Sequence, residues 1–217
     1  MKSKVSYISF ALNITTFLLV LTGTILMMVT ESGTLASNTL EVFKYFTFQS
    51  NIVMGFVAII YAYYQLLIIR KKKDKIPHVL AVLNLASTTA VGLTFIIVVA
   101  FLAPGYGFDK MYNNANLFFH LLVPVVAIIN YVLFTKQNDL PFLRTLFTLV
   151  HPFLYGVVYF IVVVSHNAYG NYDIDFYGFG AQGPIIGIFN FLAILAIAYA
   201  IGLVLFFINL LVFKKSK

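Results

Sequence analysis

Polar and apolar positions in this chain come in long blocks, with neither the alternation of a half-buried strand nor the narrow stripe of a surface helix. Tyr45 to Ile69 is almost unbroken apolar sequence, and so is Val79 to Leu102. A helix crossing about 30 Å of hydrocarbon needs roughly 20 residues, and six runs come near that length: 6–29, 46–69, 78–102, 117–134, 146–164 and 184–213. The pattern predicts an all-α, polytopic integral membrane bundle of six transmembrane helices, a single domain over 1–217. Lys2 and Lys4 precede the first run as they would a signal peptide, but the run exceeds a usual signal h-region and reads as a retained anchor.

The cations between the runs set the orientation. Lys2 and Lys4, the cluster Arg70, Lys71, Lys72, Lys73 and Lys75, then Lys136 and Arg144, and finally Lys214, Lys215 and Lys217 fall on one side. Lys44 and Lys110 fall on the other, together with Glu31, Glu41, Asp109, Asp173 and Asp175. The positive-inside rule then makes both termini cytoplasmic and the protein a multi-pass component of the cell membrane.

Composition narrows the function classes. At 217 residues, 61% hydrophobic and 10% charged, the chain has too little polar surface for a soluble or disordered protein. The net charge of +7 would suit a polyanion, but membrane topology already explains where the lysines sit, so nucleic acid is not an expected partner. The 70–75 cluster reads either as a topogenic loop or as a site for anionic lipid headgroups. Cys 0 removes disulfides, thiol nucleophiles and thiolate metal sites. All seven carboxylates lie in loops or at run ends, and neither HExxH nor GxSxG occurs. Proton-coupled carriers, intramembrane metalloproteases and serine hydrolases of the GxSxG kind lose their usual residues, and neither a metal nor another cofactor is expected.

The runs do contain neutral polar groups: Asn13, Thr47, Gln49, Ser50, Asn51, Asn84, Ser87, Thr88, His120, Asn130, His151 and Asn190. Most are expected to be helix-to-helix hydrogen bonds. Thr47, Ser50 and Asn51 occupy the first outer turns of the second run, where offsets of three and four share a face. Asn116 and His120 share a face of the fourth run at similar depth, so Thr47 and His120 can meet. Pro124 lacks the N–H that would bond the His120 carbonyl, so a bend is expected beside the histidine, around a hydrated pocket or simply for packing.

A threonine hydroxyl becomes a nucleophile when a base takes its proton, and neutral imidazole suits that task. On this reading Thr47 attacks, His120 is the general base, Asn116 orients the other ring nitrogen, and Gln49, Ser50 or Asn51 donates to an oxyanion. The alternative is that Thr47 and His120 are structural residues on separate helices. His78 and His151 are placed near the cytoplasmic ends of their runs as interfacial or capping residues, and His166 with His120 makes too small a ligand set for zinc. The loop SHNAYGNYDIDFYGFGAQG over 165–183 reads as an ordered cover or an aromatic belt, with Tyr172, Asp175 and Tyr177 as candidate substrate contacts. Asn84, Ser87, Thr88, Val91 and Thr94 form an inward stripe on the third run, and Gly183, Gly187, Ala196, Ala200 and the Ala198/Gly202 pair form close-packing faces on the sixth.

In span order, KYFTFQSNIV, NLFFHLLVPVVAIINYVLF and HPFLYGVVYFIVV resemble a prokaryotic six-helix membrane family related to the androgen-induced and androgen-dependent TFPI-regulating proteins. The most specific pieces are YFTxQSN and HxxxP. The resemblance implies a threonine hydrolase that cleaves fatty-acid esters of hydroxy fatty acids, with its threonine at Thr47 and its histidine at His120, and membrane lipids as surroundings and substrate. YDIDFYGFG in the last loop has no proline where the prokaryotic pattern carries one, and the eukaryotic relatives lack the QSN after the threonine. Two other functions fit the same interior: a lipid-binding or sensing protein without catalysis, and a small-solute transporter with a polar path through Asn84, Ser87 and Asn130.

Overall fold

The computed structural model describes residues 2–29, 41–136, 140–168, 175, 177–179 and 183–214, and the regular structure among them is all helical. Six helices are long and apolar enough to cross a membrane: Tyr7–Val29, Phe46–Ile69, His78–Tyr106, Asn114–Phe134, Phe142–Val162 and Pro184–Phe213, spans 1 to 6 below. By length and composition this is a multi-pass membrane protein. Large apolar side chains such as Phe56, Val79, Leu143 and Phe189 point outward, which a bilayer tolerates and water does not.

Two spans extend beyond their apolar runs because the helix changes pitch. Span 3 passes through a π turn, Val98–Leu102, and resumes as Ala103–Tyr106 with Pro104 in its first turn, where a missing N–H is tolerated. Span 5 starts earlier than its run, with a 3-10 segment, Phe142–Leu149, that feeds the helix Val150–Ala168.

Span 3 is the centre of the bundle and packs against spans 2, 4, 5 and 6, while span 1 closes on spans 2 and 4. Its Asn84, Ser87, Thr88, Val91 and Thr94 are all buried, as their spacing predicts. Ala198 and Gly202 of span 6 are close-packed as well; a Cβ at Gly202 would lie 2.8 Å from Thr148 of span 5.

The polar groups are stacked in layers. Near the face that carries Arg70 to Lys75, called the basic face here, Ser9, Asn13, Gln65, Asn130 and Thr135 form one buried network from spans 1, 2 and 4. Ser9 Oγ donates to Asn130 Oδ1 at 2.8 Å, Asn13 Nδ2 to Gln65 Oε1 at 2.9 Å, and Gln65 Nε2 to Ser9 Oγ at 2.7 Å. One to two turns further along each helix comes an apolar layer of Val20, Met54, Ala58, Val91, Val123 and Ala127. Beyond it, toward the opposite, aromatic face, lie Ser50, Asn51, Thr94 and His120, all buried.

Candidate functional site

Thr47 sits in the first turn of span 2, and the carbonyls within reach of its hydroxyl have other donors. A helical threonine ordinarily bonds the carbonyl three or four residues back. Here those acceptors are Lys44 and Phe43, and both are already engaged: Tyr155 Oη donates to the Lys44 carbonyl at 2.6 Å and Gln49 Nε2 to that of Phe43 at 2.7 Å. The Thr47 carbonyl is in use too, accepting from Ser50 Oγ at 3.1 Å and Asn51 Nδ2 at 2.8 Å. The hydroxyl itself makes no hydrogen bond among the described residues.

His120 lies in the π turn Phe118–Leu122, where the Val123 N–H reaches back to the Phe118 carbonyl. That shift changes what Pro124 does. In α geometry proline would orphan the His120 carbonyl, as the sequence predicts; in π register the carbonyl facing position 124 belongs to Phe119. Asn51 Nδ2 supplies the missing donor at 3.2 Å, which ties the first turns of span 2 to the histidine turn of span 4. The Phe48 and Phe119 rings meet beside it, edge to face at 5.8 Å. Gly23 of span 1 allows this approach, since a Cβ there would lie 2.8 Å from the Phe119 ring and 2.9 Å from Phe118 Cβ.

The orienting partner of His120 is the Met111 carbonyl, 2.7 Å from Nδ1. A carbonyl only accepts, so Nδ1 carries the hydrogen and Nε2 keeps its lone pair. Nε2 makes no hydrogen bond among the described residues and is not one of the fully enclosed orphan atoms, so an incoming group can reach it. Asn116, expected against the ring, instead donates to the Lys110 carbonyl at 3.1 Å and fixes the turn that presents Met111. No hydrogen bond joins Thr47 and His120 directly; the link runs through Asn51.

The three expected oxyanion donors have other tasks. Gln49 holds Phe43, both N–H bonds of Asn51 are spent on carbonyls, and Ser50, bonded to Thr47, lies 3.3 Å from Thr94 Oγ1. Each bonds a backbone carbonyl, as polar side chains in helices commonly do.

The aromatic face forms a lid of rings. Tyr177 Oη accepts the Phe46 N–H at 3.1 Å, Tyr159 donates to the Asp175 carboxylate, and Asp175 also accepts the Phe179 N–H at 3.0 Å. Asp175 and Tyr177 thus fasten the loop to spans 2 and 5, and Tyr172 lies outside the described residues. Burial pushes the Tyr45 phenol up to about 12, with Tyr177 and Glu41 adding to it, and burial raises Tyr177 likewise.

His151 is not at the basic end of span 5. Its ring lies 4.9 Å from that of Phe46, at the aromatic end of span 2. The reason is rise: eight residues of 3-10 helix climb about 16 Å where α-helix would climb about 12 Å, and the span starts at Phe142. His151, Tyr155, Tyr159 and Met111 are the site residues that sequence reasoning missed or misplaced. The spacing of His151, Tyr155 and Tyr159, one turn apart each, was the available signal. Compared with protein-family models, curated proteins and solved structures, the chain shows no match.

Proposed function

We propose that the protein is an intramembrane hydrolase of lipid esters, acting on fatty-acyl esters such as fatty acid esters of hydroxy fatty acids. The observation that supports it is the conjunction at one locus of a threonine hydroxyl whose local acceptors are occupied and a reachable imidazole lone pair. Asn51 pins their two turns to each other. With the basic face cytoplasmic, the site belongs to the outer leaflet of the cell membrane and a bilayer substrate enters sideways. Thr47 Oγ attacks the acyl carbonyl as its proton passes to His120 Nε2; the imidazolium then protonates the departing alcohol. Water, deprotonated by the same nitrogen, releases the fatty acid from Thr47. No cofactor enters these steps.

A transporter reading is disfavoured by the apolar layer of Val20, Met54, Ala58, Val91, Val123 and Ala127, which separates the two polar layers. The test is labelling of the purified protein by a fluorophosphonate probe, with turnover of fluorogenic acyl esters measured alongside. Thr47→Ala abolishes both, and His120→Ala slows both by roughly 10²–10⁴-fold. Labelling that persists in Thr47→Ala removes the assignment, and a bound, uncleaved lipid with no labelling replaces it by a binding function.

A further inference from the structure

Span 2 begins without a side-chain cap. Tyr45 holds its N-cap position and makes no cap hydrogen bond, although serine, threonine, aspartate or asparagine is the usual choice there. The first N–H groups of any helix have no partner inside it. Here the Phe46 N–H donates to Tyr177 Oη at 3.1 Å and the Gln49 N–H to the Tyr45 carbonyl at 3.2 Å. The N–H groups of Thr47 and Phe48, the two that a side-chain cap would take, make no hydrogen bond among the described residues. They belong to the candidate nucleophile and to the residue after it, so covalent geometry keeps them beside the Thr47 hydroxyl.

Span 4 turns a buried group toward the same place. On the wheel of span 2, at about 100° per residue with Phe46 at the origin, Ser50 falls near 40°, Thr47 near 100° and Asn51 near 140°. Ser50 meets Thr94 of span 3 and Asn51 the Phe119 carbonyl of span 4, so Thr47 faces the seam between those spans. Gln49, which keeps one N–H, lies near 300°, on the far side of the helix. Spans 2 and 4 run in the same direction, and Asn51 Nδ2 joins the carbonyls of Thr47 and Phe119, so these two residues lie at one level. In the π turn, Phe118 and Phe119 pack on Gly23 of span 1, and Phe119 also on Phe48 of span 2. His120 lies about a quarter turn further on. Only 7% exposed, it is left the side of span 3, where Ile128 approaches Gly92. His120 therefore borders the seam that Thr47 faces, with Nε2 open.

We propose that the oxyanion of the Thr47 site is held by the backbone N–H groups of Thr47 and Phe48 at the uncapped start of span 2. The inference rests on the hydrolase reading. Serine hydrolases of unrelated fold use the same kind of donor, the N–H of the nucleophile or of the residue after it, and a helix N-terminus adds the positive end of its dipole. Unmet N–H groups destabilise the empty protein, and they receive an oxyanion without rearrangement. As Thr47 Oγ bonds to the acyl carbon and its proton moves to His120 Nε2, the carbonyl π pair moves onto oxygen and is held by the two N–H groups. The pair returns to re-form C=O, the bond to the alkyl oxygen breaks, and that oxygen takes the proton from His120. Neither N–H gives up its hydrogen.

The experiment uses the full chain in lipid nanodiscs and reads the fluorophosphonate labelling rate, kcat and KM on a fluorogenic acyl ester, and the thermal midpoint. Phenyllactate incorporated at position 48 replaces the N–H by oxygen and keeps the ring; labelling and kcat fall by about 10²-fold with KM within about two-fold. Tyr45→Asn supplies the missing cap and engages the donors, while Tyr45→Leu is its isostere without one. Tyr45→Asn melts about 2–4 °C above Tyr45→Leu and labels at least about ten-fold more slowly. If Thr47→Ala abolishes labelling while the phenyllactate protein reacts like wild type, or loses in KM alone, the oxyanion assignment is overturned and the hydrolase stands. A Tyr45→Asn protein no more stable than Tyr45→Leu, or one that labels as fast, overturns the assignment too. Labelling retained in Thr47→Ala overturns the hydrolase reading itself.

Discussion

Asn51→Leu tests whether one buried amide holds the two reacting turns together. Asn51 is wholly enclosed, its Nδ2 spans the Thr47 carbonyl at 2.8 Å and the Phe119 carbonyl at 3.2 Å, and its Oδ1 has no partner. Leucine leaves the Thr47 carbonyl its bond from Ser50 but strands that of Phe119. A stranded buried carbonyl costs about 1–3 kcal/mol in soluble proteins, and interhelical bonds in membrane bundles average about 0.6 and reach about 1.7 kcal/mol. The same substitution removes the orphan Oδ1 and adds apolar contact, so the single variant mixes gains with losses. Pro124→Ala separates them. It gives the Phe119 carbonyl a new donor, the N–H of residue 124 in π register or that of Val123 if α register returns. The Oδ1 and packing contributions are common to both backgrounds and cancel in a double-mutant cycle. We expect a coupling of about 0.6–1.7 kcal/mol, Asn51→Leu being milder beside Pro124→Ala. Reversible unfolding in mixed micelles, followed by circular dichroism, reads it. A coupling within about 0.3 kcal/mol of zero, the level of independent sites, refutes the lock.

Two further outcomes follow from the same geometry. Gly23→Ala places a methyl 2.8 Å from the Phe119 ring and 2.9 Å from Phe118 Cβ, so the histidine turn shifts outward; overpacking costs about 1–3 kcal/mol, and the fluorophosphonate labelling rate falls more than the thermal midpoint suggests. Tyr45 is pushed up to about 12 by burial, while the unfolded phenol titrates near its ordinary value. Its contribution is therefore complete below about pH 10 and is lost as pH rises toward about 12, and Tyr45→Phe flattens that part of the unfolding midpoint measured against pH.

The six-span bundle was legible because span length is a property of composition alone. Tyr45 to Ile69 contains neither a proline nor a charged residue to end the helix, and the inward stripe from Asn84 to Thr94 follows from period 3.6 on the most enclosed helix. The partners of individual donors were not legible, because they depend on helical pitch. Pro124 advertises a freed carbonyl, but whether it is that of His120 or Phe119 depends on one inserted residue in the turn, which no local pattern announces. The depth of His151 failed for the same reason, since a 3-10 start moves every later residue of span 5 toward the aromatic face. Asn116, expected to orient the His120 ring, bonds the Lys110 carbonyl instead, and the Met111 carbonyl takes the ring nitrogen.

The contrast between the two polar layers is the strongest argument for where chemistry resides. In a bundle surrounded by hydrocarbon, every unpaired polar atom destabilises the fold. The layer at the basic face answers that pressure. Ser9, Gln65, Asn130 and Thr135 bond one another, and Asn209 Nδ2 closes on the Tyr131 and Thr135 carbonyls at 2.6 and 2.7 Å; the atoms left open there, Asn13 Oδ1 and Asn84 Nδ2 of span 3, are fully enclosed. The layer toward the aromatic face differs in having open polar atoms that are not enclosed. Gln49, Tyr155 and Asn51 each bond a carbonyl around Thr47, and the Thr47 hydroxyl and His120 Nε2 make no hydrogen bond among the described residues, on two turns that Asn51 ties together. Enclosed orphans occur in both layers and carry no ligand, whereas the Thr47 hydroxyl and His120 Nε2 are the open atoms that the proposed ester would complete.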